Sequence, residues 1–185
     1  MFFWGMLASL GALALESLLM LLATSASLAE TSSPADWFMP VAVVIEELFS
    51  LILMGGLFQN SPNKKNIFAR ALFFGAGFSL PEILLNYSNF STLSPTIILS
   101  YAGLFLIHTA TAGVLGIYFS KRETFSPSIL FFLPLAIAIH LAFNFSVLFN
   151  LDIWFSLTLP VCVILVGFLA SKMHPLRVSL PIQKN

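Results

Sequence analysis

Six apolar runs, each about as long as a bilayer is thick, occupy nearly all of this chain. They fall at about 2–28, 37–58, 67–87, 96–120, 127–149 and 153–171, and a helix needs roughly 20 such residues to cross the hydrocarbon core. The separators carry loop chemistry: Glu30 to Asp36 with Pro34, Gln59 to Asn66 with Pro62, Asn86 to Pro95, Lys121 to Ser126, and Asn150 to Asp152. Composition removes the soluble alternative. Only 9% of residues are charged and the mean hydropathy is +0.96, whereas soluble globular domains draw on about 25% charged residues. No repeat interrupts the pattern. The expectation is an all-α membrane protein, one integral membrane domain over residues 1–185 folded as a six-transmembrane-helix bundle.

Charge placement orients the bundle. Every Lys and Arg (Lys64, Lys65, Arg70, Lys121, Arg122, Lys172, Arg177 and Lys184) falls in or beside the second or fourth connection or the tail. The other connections hold only Glu30, Asp36 and Asp152. Six spans with both termini cytoplasmic put all the positive charge inside; five or seven would not. The first span has no Lys or Arg before it and is too long for a signal peptide, so it is expected to stay despite the small residues Ala26 to Ala29. The zero net charge gives no support for a nucleic-acid partner; the lipid bilayer is the partner the composition demands. Cys162 is the single cysteine, which excludes an internal disulfide and leaves a small hydrophobe in an apolar run.

Four of the eight acids lie inside spans, Glu16, Glu46, Glu47 and Glu82, together with His108 and His140. An ionised side chain at the bilayer centre costs about 2.5–3.5 kcal/mol even on the lenient insertion scale, so such residues face inward and find partners. Counting about 1.5 Å per residue from the outer ends puts Glu46 and Glu47 roughly 14 Å deep, Glu82 roughly 8 Å, His108 roughly 18 Å and His140 roughly 14 Å. Glu16 lies near mid-span and is equally well read as a helix–helix hydrogen bond. Glu82 follows Pro81, whose kink frees a carbonyl, so it has a structural reading too. The Glu46–Glu47 pair is harder to treat as structural, because adjacent carboxylates do not both ionise cheaply in lipid. His140 and Asn144 are four apart and share a helical face. Gly75, Gly77, Ala110, Ala112, Gly113 and Gly116 flank Glu82 and His108 and allow close helix approach. His174, in the tail, is read as solvated.

This set can supply what peptide hydrolysis needs: an activated water, stabilisation of the tetrahedral intermediate, and a proton for the leaving amine. No cofactor is required. The set is also compatible with zinc or another divalent metal on Glu46, Glu82, His108 and His140, with one position left for water. HExxH is absent from the sequence. Buried carboxylates and histidines also serve ion- or proton-coupled transporters, although no inverted repeat is visible. A non-catalytic membrane scaffold or immunity-type protein of the same fold is the third reading.

Four segments together resemble a known family. Pro40 to Leu48 (PVAVVIEEL), Gly75 to Glu82 (GAGFSLPE), His108 to Gly116 (HTATAGVLG) and His140 to Phe145 (HLAFNF) are similar, in order and spacing, to the four motifs of the PrsW-type intramembrane proteases. These are relatives of the CAAX protease and bacteriocin-processing superfamily of glutamate intramembrane peptidases. The resemblance implies Glu46 as the base that activates water, His108 as its partner, and His140 with Asn144 as oxyanion stabilisers. Glu47 is then a second, orienting carboxylate and Glu82 the acid of the second motif. It further implies a bacterial or archaeal plasma membrane and a single-span membrane-protein substrate of the anti-sigma-factor kind. The chain departs from the pattern in having Ser50 and Leu51 at the place of a basic residue, Ile83 after the second-motif acid, and Leu104 four residues before His108.

Overall fold

The computed structural model describes residues 1–25, 34–58, 61, 66–87, 94–121, 129–149 and 153–172. They form six helices and, among the described residues, no strand: α1 Phe2–Ser25, α2 Pro34–Phe58, α3 Ile67–Tyr87, α4 Pro95–Lys121, α5 Ile129–Leu148 and α6 Ile153–Lys172. The Ala26 to Ala29 segment and His174 lie outside the described residues. Five helices, α1 to α5, are long and apolar enough to cross a membrane; the apolar stretch described in α6 is Leu157–Leu169. The chain is a helical membrane bundle.

Local chemistry sets the helix starts. α2 and α4 open on Pro34 and Pro95; proline suits the first helical turn because its missing N–H has no intrahelical acceptor there. Ser94 caps α4, its Oγ accepting from the Ile97 N–H at 3.3 Å and its carbonyl from the Ile98 N–H at 3.1 Å. Prolines also stand inside α2, α3, α5 and α6, at Pro40, Pro81, Pro134 and Pro160.

The packing is inverted relative to a soluble protein. Phe3 and Leu130 are about four-fifths exposed on the outside, at 81% and 82%, as suits side chains solvated by lipid. Inside are small residues, among them Ala8, Ala12, Ala71 and Ala112. Lipid tails remove the hydrophobic drive between helices, so association depends on close van der Waals approach. Residues 107–116 of α4 are all buried, and α3, α5, α6 and α2 pack around it. α1 lies between α3 and α2, and α5 touches α2, so that α1, α3, α4, α5 and α2 close a ring with α6 outside it against α4 and α5. α1 is therefore part of the bundle. At α1–α3, a Cβ on Gly5 would strike the Phe74 carbonyl and one on Gly77 the Phe2 carbonyl.

Candidate active site

Each ring helix turns its titratable residues inward for a reason visible in its pattern. On α2 the buried stripe is Val43, Glu47, Ser50 and Met54, spaced four, three and four as one helical face requires. Glu47 sits on that stripe. Glu46 stands one residue round, three before Phe49, whose ring packs on Gly11 of α1; it therefore faces the α1 side. On α5 the stripe is Ala136, His140, Phe143 and Ser146. Gly75 of α3 meets α4 at His108 itself: a Cβ there would collide with the His108 carbonyl, and would come within 2.7 Å of Thr109 Cα and 2.8 Å of Ala112 Cβ. Only glycine lets the two helices meet at this depth.

Two glutamate–histidine pairs result. His108 Nε2 lies 2.7 Å from Glu82 Oε2, and His140 Nδ1 lies 2.9 Å from Glu47 Oε1. The two imidazoles meet edge to face, with centroids 4.9 Å apart and planes at 87°, and Phe78 backs His108 at 4.9 Å. His140, Glu47 and His108 are almost wholly buried, while the Glu82 side chain keeps 25% of its surface. Glu46 Oε2 is 3.5 Å from His140 Nε2, too long for a formed hydrogen bond, and is a buried oxygen without a hydrogen-bond partner. His140 thus turns Nδ1 to Glu47 and Nε2 to Glu46, one ring nitrogen to each of the adjacent carboxyl groups. A proton or a cation between Nε2 and the Glu46 oxygen would join them.

Glu82 and His108 meet despite the roughly 10 Å difference in their counted depths. The contacts of Gly75 with residues 108–112 and of Gly116 with residues 67–71 show α3 and α4 to be antiparallel. Side chains lean towards their own helix N-terminus, so on antiparallel neighbours the two lean towards each other.

Of the residues singled out by sequence, Glu46, Glu47, His108, His140 and Glu82 come together. Asn144 does not join their hydrogen bonds: it is half-buried, because at that turn the inward stripe of α5 passes through Phe143. Among the described residues, Glu46, His108 and His140 each bring one potential ligand atom to within 4.8 Å of the others. Glu82 belongs beside this triad, bonded to the His108 ring. The donor set suits a divalent cation, since each imidazole has its second role filled by a carboxylate and Glu46 offers a free oxygen. Glu16 of α1, left open by sequence, has its Oε1 buried without a hydrogen-bond partner.

Set beside known proteins, the chain matches no family model, no curated protein and no solved structure.

Proposed function

We propose that this protein is an intramembrane endopeptidase of PrsW type, a hydrolase in which Glu46 takes a proton from water as the water oxygen attacks a substrate carbonyl. The observation that carries this reading is the placement of Glu46, whose buried Oε2 has no hydrogen-bond partner and lies 3.5 Å from His140 Nε2, while Glu47 and Glu82 each hold a ring. Glu47 holds His140, and Glu82 holds His108. Both rings are thus positioned to donate to or accept from a reacting group without first reorganising. The proton taken by Glu46 passes to the amine nitrogen as the C–N bond breaks, leaving a free acid and a free amine. Asn144, whose amide is not consumed within the cluster, is free to donate to the carbonyl oxygen of a substrate. Lipid-facing walls suit a single-span membrane protein as substrate.

A divalent cation is a second form of the same reading, favoured by the converging Glu46, His108 and His140. Bound there, it supplies Lewis-acid polarisation of the carbonyl and lowers the pKa of water. The chain's own roles change little: Glu47 and Glu82 orient the two rings.

Purified protein reconstituted with candidate single-span proteins tests the reading. Glu46→Gln keeps the size and much of the hydrogen bonding of Glu46 but cannot take a proton. Cleavage by the native chain and its loss in Glu46→Gln, with the fold retained, is the expected result. Equal cleavage by both proteins rules out Glu46 as the base, and no cleavage by the native chain rules out the peptidase reading in favour of a scaffold.

A further inference from the structure

The ring of α1, α3, α4, α5 and α2 has five seams between neighbouring helices, and a substrate arriving from lipid reaches Glu46 through one of them. Four are closed. Along α1–α3, a Cβ on Gly5 or on Gly77 would strike a carbonyl of the other helix. Along α3–α4, Gly75 and Gly116 leave no room for a Cβ. α6 lies against both α4 and α5 and covers the seam between them, and between α1 and α2 the Phe49 ring packs on Gly11. The fifth seam, α2–α5, is of another kind. α5 contains no glycine, and at the level of the cluster the contact across the seam is polar. Glu47 and Glu46 of α2 face the two nitrogens of the His140 ring at 2.9 Å and 3.5 Å.

Helix phase shows what flanks this seam. On α5, Phe132 meets Tyr118 of α4, with centroids 6.2 Å apart, and so marks the α4 flank. At about 100° per residue, Phe132 lies about 80° to one side of His140 and Asn144 about 40° to the other. Asn144 therefore stands on the flank turned away from α4, half-buried, with exposed Phe145 beside it. On α2, Val44 and Leu48 lie about 60° and 100° round from Glu47, and both are exposed. Nearer the C-terminal end of α2, Phe58 packs edge-on against Phe119 of α4 at 6.1 Å and closes that end.

We propose that the α2–α5 seam is the docking site for one membrane-spanning segment of the substrate, which enters from lipid past Val44, Leu48 and Phe145 and unwinds locally beside Asn144. The proposal rests on the peptidase reading for its purpose. Side chains at the mouth are apolar, as an occupant arriving from among acyl chains requires. Deeper in, the seam offers what an intact helix does not need: the half-buried amide of Asn144 and the Glu46 Oε2 that has no hydrogen-bond partner. A helix satisfies its backbone groups internally, whereas a peptide bond presented for attack has lost those bonds, and no acyl chain replaces them. The occupant is accordingly a span interrupted by glycine or proline at the depth of the cluster, where its unwound carbonyl meets Asn144.

Photocapture in phosphatidylcholine vesicles tests the docking without a cleavage assay. The photoreactive residue p-benzoylphenylalanine replaces Val44 or Leu48 and, as controls, Phe73 of α3 or Leu165 of α6, all four of them exposed. Each protein also carries Glu46→Gln, so that a captured peptide stays whole. The probe is a synthetic leucine–alanine span with a Gly–Pro pair at its middle, and its uninterrupted counterpart is the comparison. Capture of the interrupted span at Val44 and Leu48 is expected to exceed capture at either control by at least about tenfold. It should exceed capture of the uninterrupted span at the same positions by at least about threefold. Equal capture at seam and control positions overturns the seam. Equal capture of the two spans at the seam overturns the local unwinding. If Val44 and Leu48 capture the interrupted span while the native chain cleaves nothing, the docking seam stands and the peptidase reading falls. If the native chain cleaves that span and neither position captures it, the seam falls and the peptidase reading stands.

Discussion

Oε1 of Glu47 and Nδ1 of His140 meet at 2.9 Å across 93 positions of sequence. The contact turns Nδ1 of the imidazole to Glu47 and leaves Nε2 facing Glu46. It also joins α2 to α5 at a point where both partners are almost wholly buried. Under the proposed peptidase reading, Glu47 acts through His140 and not on the substrate.

Glu47→Gln is accordingly expected to lower kcat by about 10–100-fold with little change in KM, the usual effect of losing a partner that orients a working imidazole. Glu46→Gln removes the base itself and is expected to leave no measurable turnover. Rate measurements on the two variants side by side check this ordering. A Glu47→Gln protein as inactive as Glu46→Gln would make Glu47 a base as well.

Asn144→Ala is expected to leave the folded protein unchanged, because its amide takes no part in the cluster's hydrogen bonds. Its cost should appear only in turnover, by no more than roughly 10²-fold to 10³-fold, the range for one oxyanion donor. A thermal melt and a rate measurement on the same preparation separate the two effects. A large drop in Tm would assign Asn144 to the structure.

Much of this was legible in the sequence, and particular residues show why. Six apolar runs foretold six helices with ends shifted by a few residues, because about 20 apolar residues have one stable use in lipid. Glu46, Glu47, Glu82, His108 and His140 were legible as one inward-facing group, because each is costly against acyl chains. Which histidine takes which glutamate was not legible. Depth counted along the axis separates Glu82 from His108, and the side-chain lean on antiparallel helices brings them together. The i, i+4 spacing of His140 and Asn144 promised a shared face, yet four residues turn a helix by about 400°. That offset of about 40° is enough for Phe143 to take the inward place. Glu16 gave no local signal of how deeply its Oε1 is buried, which depends on where α1 packs.

Gly75→Leu is expected to destabilise the bundle by about 1–3 kcal/mol or more and to weaken the site with it. The atoms it would strike are backbone and Cβ atoms at His108, Thr109 and Ala112, none of which can rotate away. Forcing α3 from α4 there also pulls Glu82 from His108. Gly56 has nothing within 4 Å of an added Cβ, so Gly56→Ala should gain about 0.5–1 kcal/mol from helix propensity alone. Tm values in detergent should move in opposite directions, and movement in the same direction would count against the α3–α4 contact.

Topology follows from the positive charges. Reporter fusions at Pro34 and Ser91 are expected to read outside, and fusions at Asn63 and Glu123 inside. A cytoplasmic reading at Ser91 would break the alternation of α3 and α4.

Zinc binding discriminates ligands from the residues that orient them. Glu46, His108 and His140 converge within 4.8 Å, and ligands at a tetrahedral zinc sit about 3.3 Å apart, so modest side-chain movement closes the set around one ion. Titration of metal-free protein is expected to show one zinc per chain. His140→Ala and His108→Ala remove a ligand each and should abolish uptake. Glu82→Gln leaves the triad intact and changes only the partner of His108, so affinity should fall by about 10–100-fold and no further. The measured order of the three variants then reads the geometry directly. If Glu82→Gln abolishes uptake as completely as His140→Ala, Glu82 is a ligand and the His108 pair must open to admit the ion. If metal-free protein takes up no zinc at all, the metal-bound form of the proposal falls, and the form in which Glu46 works on water unaided is left for the cleavage assay to decide.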